Sequence, residues 1–236
     1  MADPKAFLYV VSEPGPSVPE AEFHDWYDNE HVPLRVNTPA FSSWARWEQI
    51  DGLKPTWGAT YDLESYEATL VPPYSQLAET RSDREKDILS MLQTLDRRTY
   101  EAYTGNPIYP PSALYDPSKT APEIVIVSID VKPEGEEDFN RWYDEEHIPL
   151  LAKAKGWIRS RRFVLKDSGS LGTEASKKPA HKYLAVHEWV SVEGLPESEE
   201  YKAALHTPWR TKVIENWVTG YERRAFKLYK RWERKN

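Results

Sequence analysis

The sequence contains no cysteine. That absence excludes disulfide bonds, thiolate catalysis, cysteine-ligated zinc and cysteine-ligated iron–sulfur clusters. No run approaches 18 consecutive apolar residues, so we expect no membrane span. No basic and apolar leader precedes the first strand-like segment. Together these absences predict a cytoplasmic protein.

Glycine is also scarce, with ten residues, and none is arranged as a P-loop or as a GxGxxG motif. We therefore expect no phosphate-cradling or dinucleotide site. The net charge of −7 and the pI near 5.5 argue against general binding to nucleic acid or to an anionic membrane. The basic stretch 223–235 alternates with aromatic residues and is typical of a terminal strand.

Aromatic residues are abundant instead, with 10 Trp, 14 Tyr and 6 Phe in 236 residues. Their large apolar area can supply a core or line a pocket for a flat ligand. Hydrophobic residues make up 39% of the chain and charged residues 29%, a composition typical of a folded globular protein.

One segment occurs twice. AEFHDWYDNEHVPL (Ala21–Leu34) matches EDFNRWYDEEHIPL (Glu137–Leu150) at an offset of 116 residues, and nine of the fifteen positions from Glu20 to Leu34 are identical. Extended backwards at this offset, Phe7–Ser12 falls on Glu123–Ser128. We interpret the chain as two homologous halves.

A proline-rich linker, Gly105–Pro122, separates the two copies. It predicts a first unit over residues 1–115 and a second over 116–236. A second segment, Asp167–Ala180, has the composition of a flexible loop, and we interpret it as a tolerated insertion or, alternatively, a lid.

Each half has the coarse order βαββαβ, which is the ferredoxin-like pattern. Apolar and β-branched runs predict the strands, and apolar periodicity predicts the helices. The predicted strands are Phe7–Ser12, Phe41–Ile50, Trp57–Leu63, Thr99–Thr104, Ile124–Val131, Trp157–Leu165, Lys182–Trp189 and Tyr221–Tyr229; the predicted helices are Glu20–Val32, Pro73–Leu95, Glu136–Ile148 and Pro196–Trp217. We expect an α+β fold in which two antiparallel sheets pack into an intramolecular barrel.

The repeated helix carries polar residues on its apolar stripe. The shared residues Phe23, Trp26, Tyr27, Glu30, His31 and Leu34 are spaced as one helical face. Proline follows two residues after each histidine, at Pro33 and Pro149, so we expect the helix to end or kink at Val32 and Ile148.

Each repeated histidine, His31 and His147, is then placed at a helix C-terminus, where the helix dipole favours the cationic imidazolium. Asp28 and Asp144 lie three residues earlier and can reach their respective histidine. Because both halves keep this arrangement, a purely structural role for at least one of the pair is an open alternative to catalysis.

At WYDNEHVPL and WYDEEHIPL the sequence resembles the EthD-like branch of the dimeric α+β barrel superfamily. The resemblance spans nearly the whole chain as two tandem copies. It implies a barrel formed within one chain, and activities such as cofactor-free decarboxylation, cyclisation of aromatic polyketides, isomerisation, oxygenation and, in distant branches, haem chemistry. Fold does not decide among these.

The candidate catalytic residues are those able to move protons without cysteine: His31, His147, Tyr27, Tyr143, Asp28, Asp144 and His187. Strand alternation places Tyr183 and His187 on one face, and Trp26, Trp142 and Tyr183 are the candidate substrate-binding residues. We expect a lyase, cyclase or isomerase of secondary metabolism that needs no cofactor and acts on a small aromatic or polyketide-like molecule in a barrel pocket.

Three alternatives stay open at this point. They are a binding protein that holds a small hydrophobic ligand unchanged, a cofactor-independent oxygenase, and a haem or metal enzyme. The last is disfavoured because no His-Glu-x-x-His motif is present and the two repeated histidines lie in separate halves. We predict no metal site, and homodimerisation of the fused barrel is left open.

Overall fold

The computed structural model describes residues 5–105, 109–175 and 180–233. Eight strands follow one another around a closed barrel in the order β1-β3-β2-β8-β5-β7-β6-β4. The chain also divides into two compact units. The first takes in the described residues of Met1–Ala102, Leu165–Ala180 and Tyr229–Asn236, and the second those of Tyr103–Val164 and His181–Leu228. The α+β barrel predicted from the sequence is confirmed.

The first unit is built on the strand order β2-β3-β1-β4. Its elements are β1 (Ala6–Glu13), α1 (Glu20–Trp26), α2 (Val32–Val36), β2 (Trp44–Gln49), β3 (Trp57–Leu63), α3 (Asp83–Met91) and β4 (Thr94–Ala102). Short 3-10 turns lie at Glu67–Thr69 and Tyr74–Gln76. The pairs β1–β3, β1–β4 and β2–β3 are antiparallel.

The second unit repeats this order as β6-β7-β5-β8. Its elements are β5 (Glu123–Val131), α4 (Glu136–Trp142), α5 (Ile148–Leu151), β6 (Trp157–Leu171), β7 (Tyr183–Trp189), α6 (Glu199–Leu205), α7 (Pro208–Asn216) and β8 (Val218–Trp232). The parts of β6 and β8 beyond Val164 and Leu228 belong to the first unit. Short 3-10 turns lie at Pro133–Gly135 and Leu195–Glu197. The pairs β5–β7, β5–β8 and β6–β7 are antiparallel.

The predicted strands are all present, but the long second helices are not. The helix expected over Pro73–Leu95 is reduced to α3, because Ser82 caps it and Leu92 already leaves the helical conformation. The helix expected over Pro196–Trp217 is divided into α6 and α7 before Pro208, whose missing N–H places it at a helix start.

The segment Asp167–Ala180 is not simply a loop. β6 continues as far as Leu171, and Thr173 N then donates to Leu92 O over 2.9 Å. Gly172 has a φ of 110° and approaches the Leu92 carbonyl so closely that a Cβ would meet it at 2.7 Å. Residues 176–179 of this segment, like 106–108 of the predicted linker, lie outside the described residues.

The repeat offset of 116 residues does not extend back into the first strand. Leu8 and Val10 lie on the helix-packed face of β1, as Val125 and Val127 do on β5. These pairs are 117 residues apart, so an offset of 116 would align residues from opposite faces. A shift of one residue reverses the face because side chains alternate along a strand. The extension of Phe7–Ser12 onto Glu123–Ser128 was therefore wrong by one position.

The repeated helix does not end at its proline. After α1 and α4 it widens into π-helical turns, Tyr27–His31 and Tyr143–His147, and then continues as α2 and α5. A π turn takes in an extra residue, so later side chains are rotated by about 100°. This explains why Val32 is buried while Leu34, predicted to face the core, is 48% exposed. Of the two expected alternatives, a helix end or a kink at Val32 and Ile148, the helix end was wrong.

Among the described residues, no helix has the length and apolar character needed to cross a membrane.

Candidate functional site

A small cavity of about 50 Å³, partly open to solvent, lies in the second unit. Its walls come from the helix-packed face of β5, β7 and β8 and from the helices that cover this face. It therefore lies between sheet and helices, rather than on the opposite face of the sheet, where a barrel pocket was expected. Of the candidate residues, Trp142, Tyr143, His147 and His187 line it.

His147 lines this cavity and has a buried ring nitrogen without a partner among the described residues. Its backbone ends the second π turn, and its ring stacks on Trp142 with the centroids 4.5 Å apart. The backbone carbonyl of Ala204 favours the protonated ring. Because Nδ1 has no partner among the described residues, the ring hydrogen is assigned to Nε2. This tautomer leaves the buried Nδ1 lone pair without a donor.

His187 presents the complementary group. Its Nδ1 lies 2.7 Å from Ser160 Oγ, and that oxygen accepts a hydrogen bond from Trp157 Nε1 over 3.0 Å. With no other partner described for Ser160, its hydroxyl hydrogen is assigned to His187 Nδ1. His187 Nε2 then carries the ring hydrogen, and it has no partner among the described residues. The ring centroids of His147 and His187 are 6.3 Å apart.

Both cavity histidines are neutral near pH 7. The pKa of His147 is lowered to about 3, chiefly by burial and also by nearby Arg210 and Arg162, while the Ala204 carbonyl opposes the shift. Burial also lowers the pKa of His187 to about 3, with His147 and Arg223 acting in the same direction. The expected imidazolium at a helix end was wrong, because burial outweighs the dipole at this position.

The aromatic candidates divide between cavity and core. Tyr143 is buried against Phe139 and His147, and burial raises the pKa of its hydroxyl. Trp142 lines the cavity, and its indole N–H has no partner among the described residues; the same holds for Trp189. Tyr183 shares the face of His187, as alternation predicts, but its hydroxyl lies by Glu136 Oε2, at 3.1 Å.

The equivalent residues of the first unit partner each other. His31 Nδ1 lies 2.6 Å from Glu85 Oε1, and both side chains are buried. Tyr27 and Tyr61 place their hydroxyl oxygens 3.2 Å apart. Trp26 is fully buried and packs against Tyr27 and His31. These candidates of the first unit are held together by internal contacts.

Neither repeated aspartate contacts its histidine. Asp28 forms an ion pair with Arg46, and Asp144 does so with Arg162 over 2.8 Å. Each arginine also lies over the ring of the repeated tyrosine, at 4.4 Å for Tyr27 and 4.6 Å for Tyr143. The predicted Asp–His pairs were wrong because the side chains in the π turn point to different neighbours.

Five residues that contact the candidate residues or line the cavity escaped the sequence analysis. Two of them, Arg46 and Arg162, obey the same 116-residue offset and were detectable from it. The other three contact the cavity histidines or line the cavity from distant elements: Ser160, Arg210 and Arg223. No local pattern marks them, because each is brought to the cavity by the fold.

A cavity of about 50 Å³ does not fit a haem. Pockets for ligands of that class occupy several hundred Å³ as a rule. Within the described ranges, no three His, Asp or Glu side chains are grouped to hold a metal ion.

The chain matches no protein-family model and no curated protein. It is similar in structure to an anthrone oxidase-like protein, with 10% identity, a TM-score of 0.58 and coverage of 100% of this chain and 95% of that one. A mutant chlorite dismutase from Candidatus Nitrospira defluvii has 10% identity and a TM-score of 0.53, covering 97% and 93%.

A dye-decolorizing peroxidase from Bacteroides thetaiotaomicron has 7% identity and a TM-score of 0.55, covering 97% of this chain and 94% of that one. At such low identity these similarities concern the fold alone. They agree with the strand order described above, and the chain has the dimeric α+β barrel fold.

Proposed function

We propose that this protein is a small-molecule enzyme whose active site is the cavity of the second unit. The observation that carries the proposal is the pair of buried histidines at that cavity, one with a free lone pair and one with a free N–H. Unpaired buried polar atoms cost about 1–3 kcal/mol each, a cost that a bound substrate would remove.

The reaction class that suits this pair is proton transfer next to a carbonyl or phenol. His147 Nδ1 takes a proton from the substrate, and His187 Nε2–H donates to the oxygen that gains negative charge. The resulting anion lies beside the new imidazolium. Its negative charge stabilises the imidazolium and so opposes the effect of burial, which otherwise lowers the pKa of His147. Return of the proton from His147 at another atom of the substrate completes an isomerase cycle without a cofactor. In a lyase cycle the C–C bond to the substrate carboxylate breaks instead, CO2 leaves, and the electron pair moves to the carbonyl oxygen that His187 Nε2–H stabilises; a proton from solvent then completes the product.

The substrate class we propose is a small aromatic or polyketide-like molecule. Trp142, Tyr143 and Trp189 give the cavity aromatic walls, and its size admits the reacting end of such a molecule rather than the whole.

A cofactor-independent oxygenase is the second candidate. The same proton abstraction yields an electron-rich anion that can react with O2, and similarity in fold to an anthrone oxidase-like protein supports this alternative through the fold alone. Both candidates use the same two histidines and differ only in whether O2 is consumed.

We further propose that the chain is a tandem pair of ferredoxin-like units of the EthD-like branch, joined near residue 115. The recurrence of the same strand order in both units supports this. The cytoplasmic location and any homodimer of the fused barrel stay predictions.

The test is turnover by purified protein of a panel of polyphenols and β-keto aromatic acids, followed by mass spectrometry with and without 18O2. Loss of CO2 or water, or an isomer of equal mass, supports the lyase or isomerase; gain of 18O supports the oxygenase. Recovery of every compound unchanged, with some retained by the protein, would leave a binding protein.

His147→Gln is the diagnostic variant, and His31→Gln is its matched control in the first unit. Loss of a general base lowers kcat by about 10²–10⁴-fold. We expect that loss in His147→Gln, with near-normal kcat in folded His31→Gln. Equal activity of His147→Gln and the unmodified protein would refute the assignment. If His147→Gln is unstable, His187→Gln serves as the second variant, because it removes the donor that the same step requires, and unchanged kcat in folded His187→Gln would count against the assignment.

A further inference from the structure

The helices α3 and α7 begin in the same way. Ser82 Oγ accepts a hydrogen bond from Glu85 N, and Thr207 Oγ1 accepts one from Arg210 N, each over 3.0 Å. Each cap hydroxyl also donates to the repeated glutamate of its own unit, which is Glu30 or Glu146. Glu85 and Arg210 therefore occupy equivalent positions, each at the third residue of its helix.

These equivalent residues carry opposite charges. In the first unit the Glu85 carboxylate reaches Nδ1 of the repeated histidine. In the second unit the same position supplies the Arg210 guanidinium, which lines the cavity, while His147 Nδ1 has no partner among the described residues. The carboxylate that the first unit contains is thus missing from the second, and a cation and a cavity replace it.

The cavity is positively charged along its walls. Arg210 and Arg223 line it, and no aspartate or glutamate does. Arg210 Nη1 donates to the Leu205 carbonyl over 3.0 Å, and within the described ranges neither arginine has a carboxylate partner. Two such cations in a small cavity favour an anionic ligand, and a guanidinium matches the planar fork of a carboxylate.

We propose that the substrate carries a carboxylate and that Arg210 binds it in the cavity, with Arg223 as the second cation. The inference rests on the proposed function in taking this cavity as the substrate site. The carboxylate binds at Arg210 and Arg223, and the atoms next to it then face His147 Nδ1 and His187 Nε2. The substrate class becomes small aromatic or β-keto carboxylic acids.

The test is calorimetric titration at pH 7 with two matched pairs of probes: benzoate against benzamide, and acetate against acetamide. Within each pair the probes have nearly the same shape and differ in charge. Inorganic phosphate is the third arm, because it distinguishes a carboxylate site from a general anion site. The proteins are the unmodified chain, Arg210→Met, Arg210→Glu and the control Lys202→Glu.

Lys202→Glu is matched to Arg210→Glu in its charge change and lies on the surface, where Lys202 forms an ion pair with Glu199 in the i,i+3 position. We expect benzoate to bind at least about tenfold more tightly than benzamide, since a charged hydrogen bond corresponds to about 10- to 100-fold in affinity. Arg210→Met should remove that preference. Arg210→Glu should abolish benzoate binding by reproducing the first unit, whereas Lys202→Glu should stay within about twofold.

Equal affinity for benzoate and benzamide, or unchanged benzoate binding in Arg210→Met, would overturn the inference, as would a preference for phosphate. Near-UV circular dichroism tests whether each variant is folded. If Arg210→Glu does not fold, benzoate binding by Arg210→Met decides whether the inference holds. Arg210-dependent benzoate binding without turnover of any acid would defeat the proposed enzyme alone. Turnover of neutral compounds unaffected by Arg210→Met would defeat this inference alone.

Discussion

At the scale of the residue, the repeated histidine shows how partners rather than position decide its chemistry. His31 and His147 end equivalent π turns. His31 has a buried carboxylate partner, whereas no partner for His147 Nδ1 is found in the part of the chain that the structure describes. The motif alone identifies both histidines, but the partner at Glu85 is 54 residues away and is supplied by another helix.

The lowered pKa values of His147 and His187 predict acid sensitivity. In the unfolded chain each histidine titrates near 6.5, and in the folded protein near 3. Between these values the unfolded state binds more protons, so stability falls as the pH decreases through this window and is fully present above about pH 6.5. We expect each histidine to lower the free energy of unfolding by about 2 kcal/mol when the pH decreases from 7 to 5.

Urea unfolding at pH 7 and pH 5 measures this loss. We expect His147→Gln to reduce the difference between the two pH values by about 2 kcal/mol. The exposed His206→Gln is the control and should leave the difference unchanged. A His147→Gln variant with the full pH dependence would show that His147 titrates normally in the folded protein.

At the scale of the element, the starts of α3 and α7 connect helix stability to the site. Thr207 both caps α7 and donates to Glu146, which lies next to His147 in the chain. Arg210 follows in the first turn, so the same cap that stabilises α7 also sets the direction in which the guanidinium leaves the helix. Ser82 does the same for Glu85 in α3.

Thr207→Ala and Ser82→Ala separate these two effects. Loss of an N-cap costs about 1 kcal/mol, and we expect both variants to lose about that much in urea unfolding. Only Thr207→Ala should also weaken benzoate binding, by several-fold, because Arg210 is less firmly placed. Equal benzoate affinity in the two variants would show that the cap does not position Arg210.

At the scale of the whole molecule, the barrel and the strand positions were accessible from the sequence because strands alternate and the repeat recurs. The cavity was not, since its walls come from residues scattered between Val125 and Arg223. The alignment of β1 with β5 also escaped prediction. One extra residue between strand and helix reverses which side chains of the strand face the helices, and the apolar pattern of the strand does not reveal this. The π turns were hidden for a similar reason, because proline indicates a helix end when only α-helical geometry is considered.

The two units have thus diverged in the use of one position, Glu85 in the first and Arg210 in the second. Glu85 forms a buried pair with His31, so Glu85 contributes to the stability of the folded protein. Arg210 makes one side-chain hydrogen bond, to Leu205, among the described residues, so its contribution to stability is small. The matched truncations Glu85→Ala and Arg210→Ala should therefore have opposite consequences.

Glu85→Ala leaves His31 Nδ1 unpaired in the core, and we expect a loss of about 2–3 kcal/mol in the free energy of unfolding at pH 7. Benzoate binding by the protein that remains folded should be unchanged. Arg210→Ala should lose less stability than Glu85→Ala, about 1 kcal/mol, because Arg210 is only half-buried and its removal leaves no buried charge unpaired, yet it should lose benzoate binding. Equal stability losses in the two variants would contradict this division, because the buried pair would then contribute no more than a single carbonyl contact.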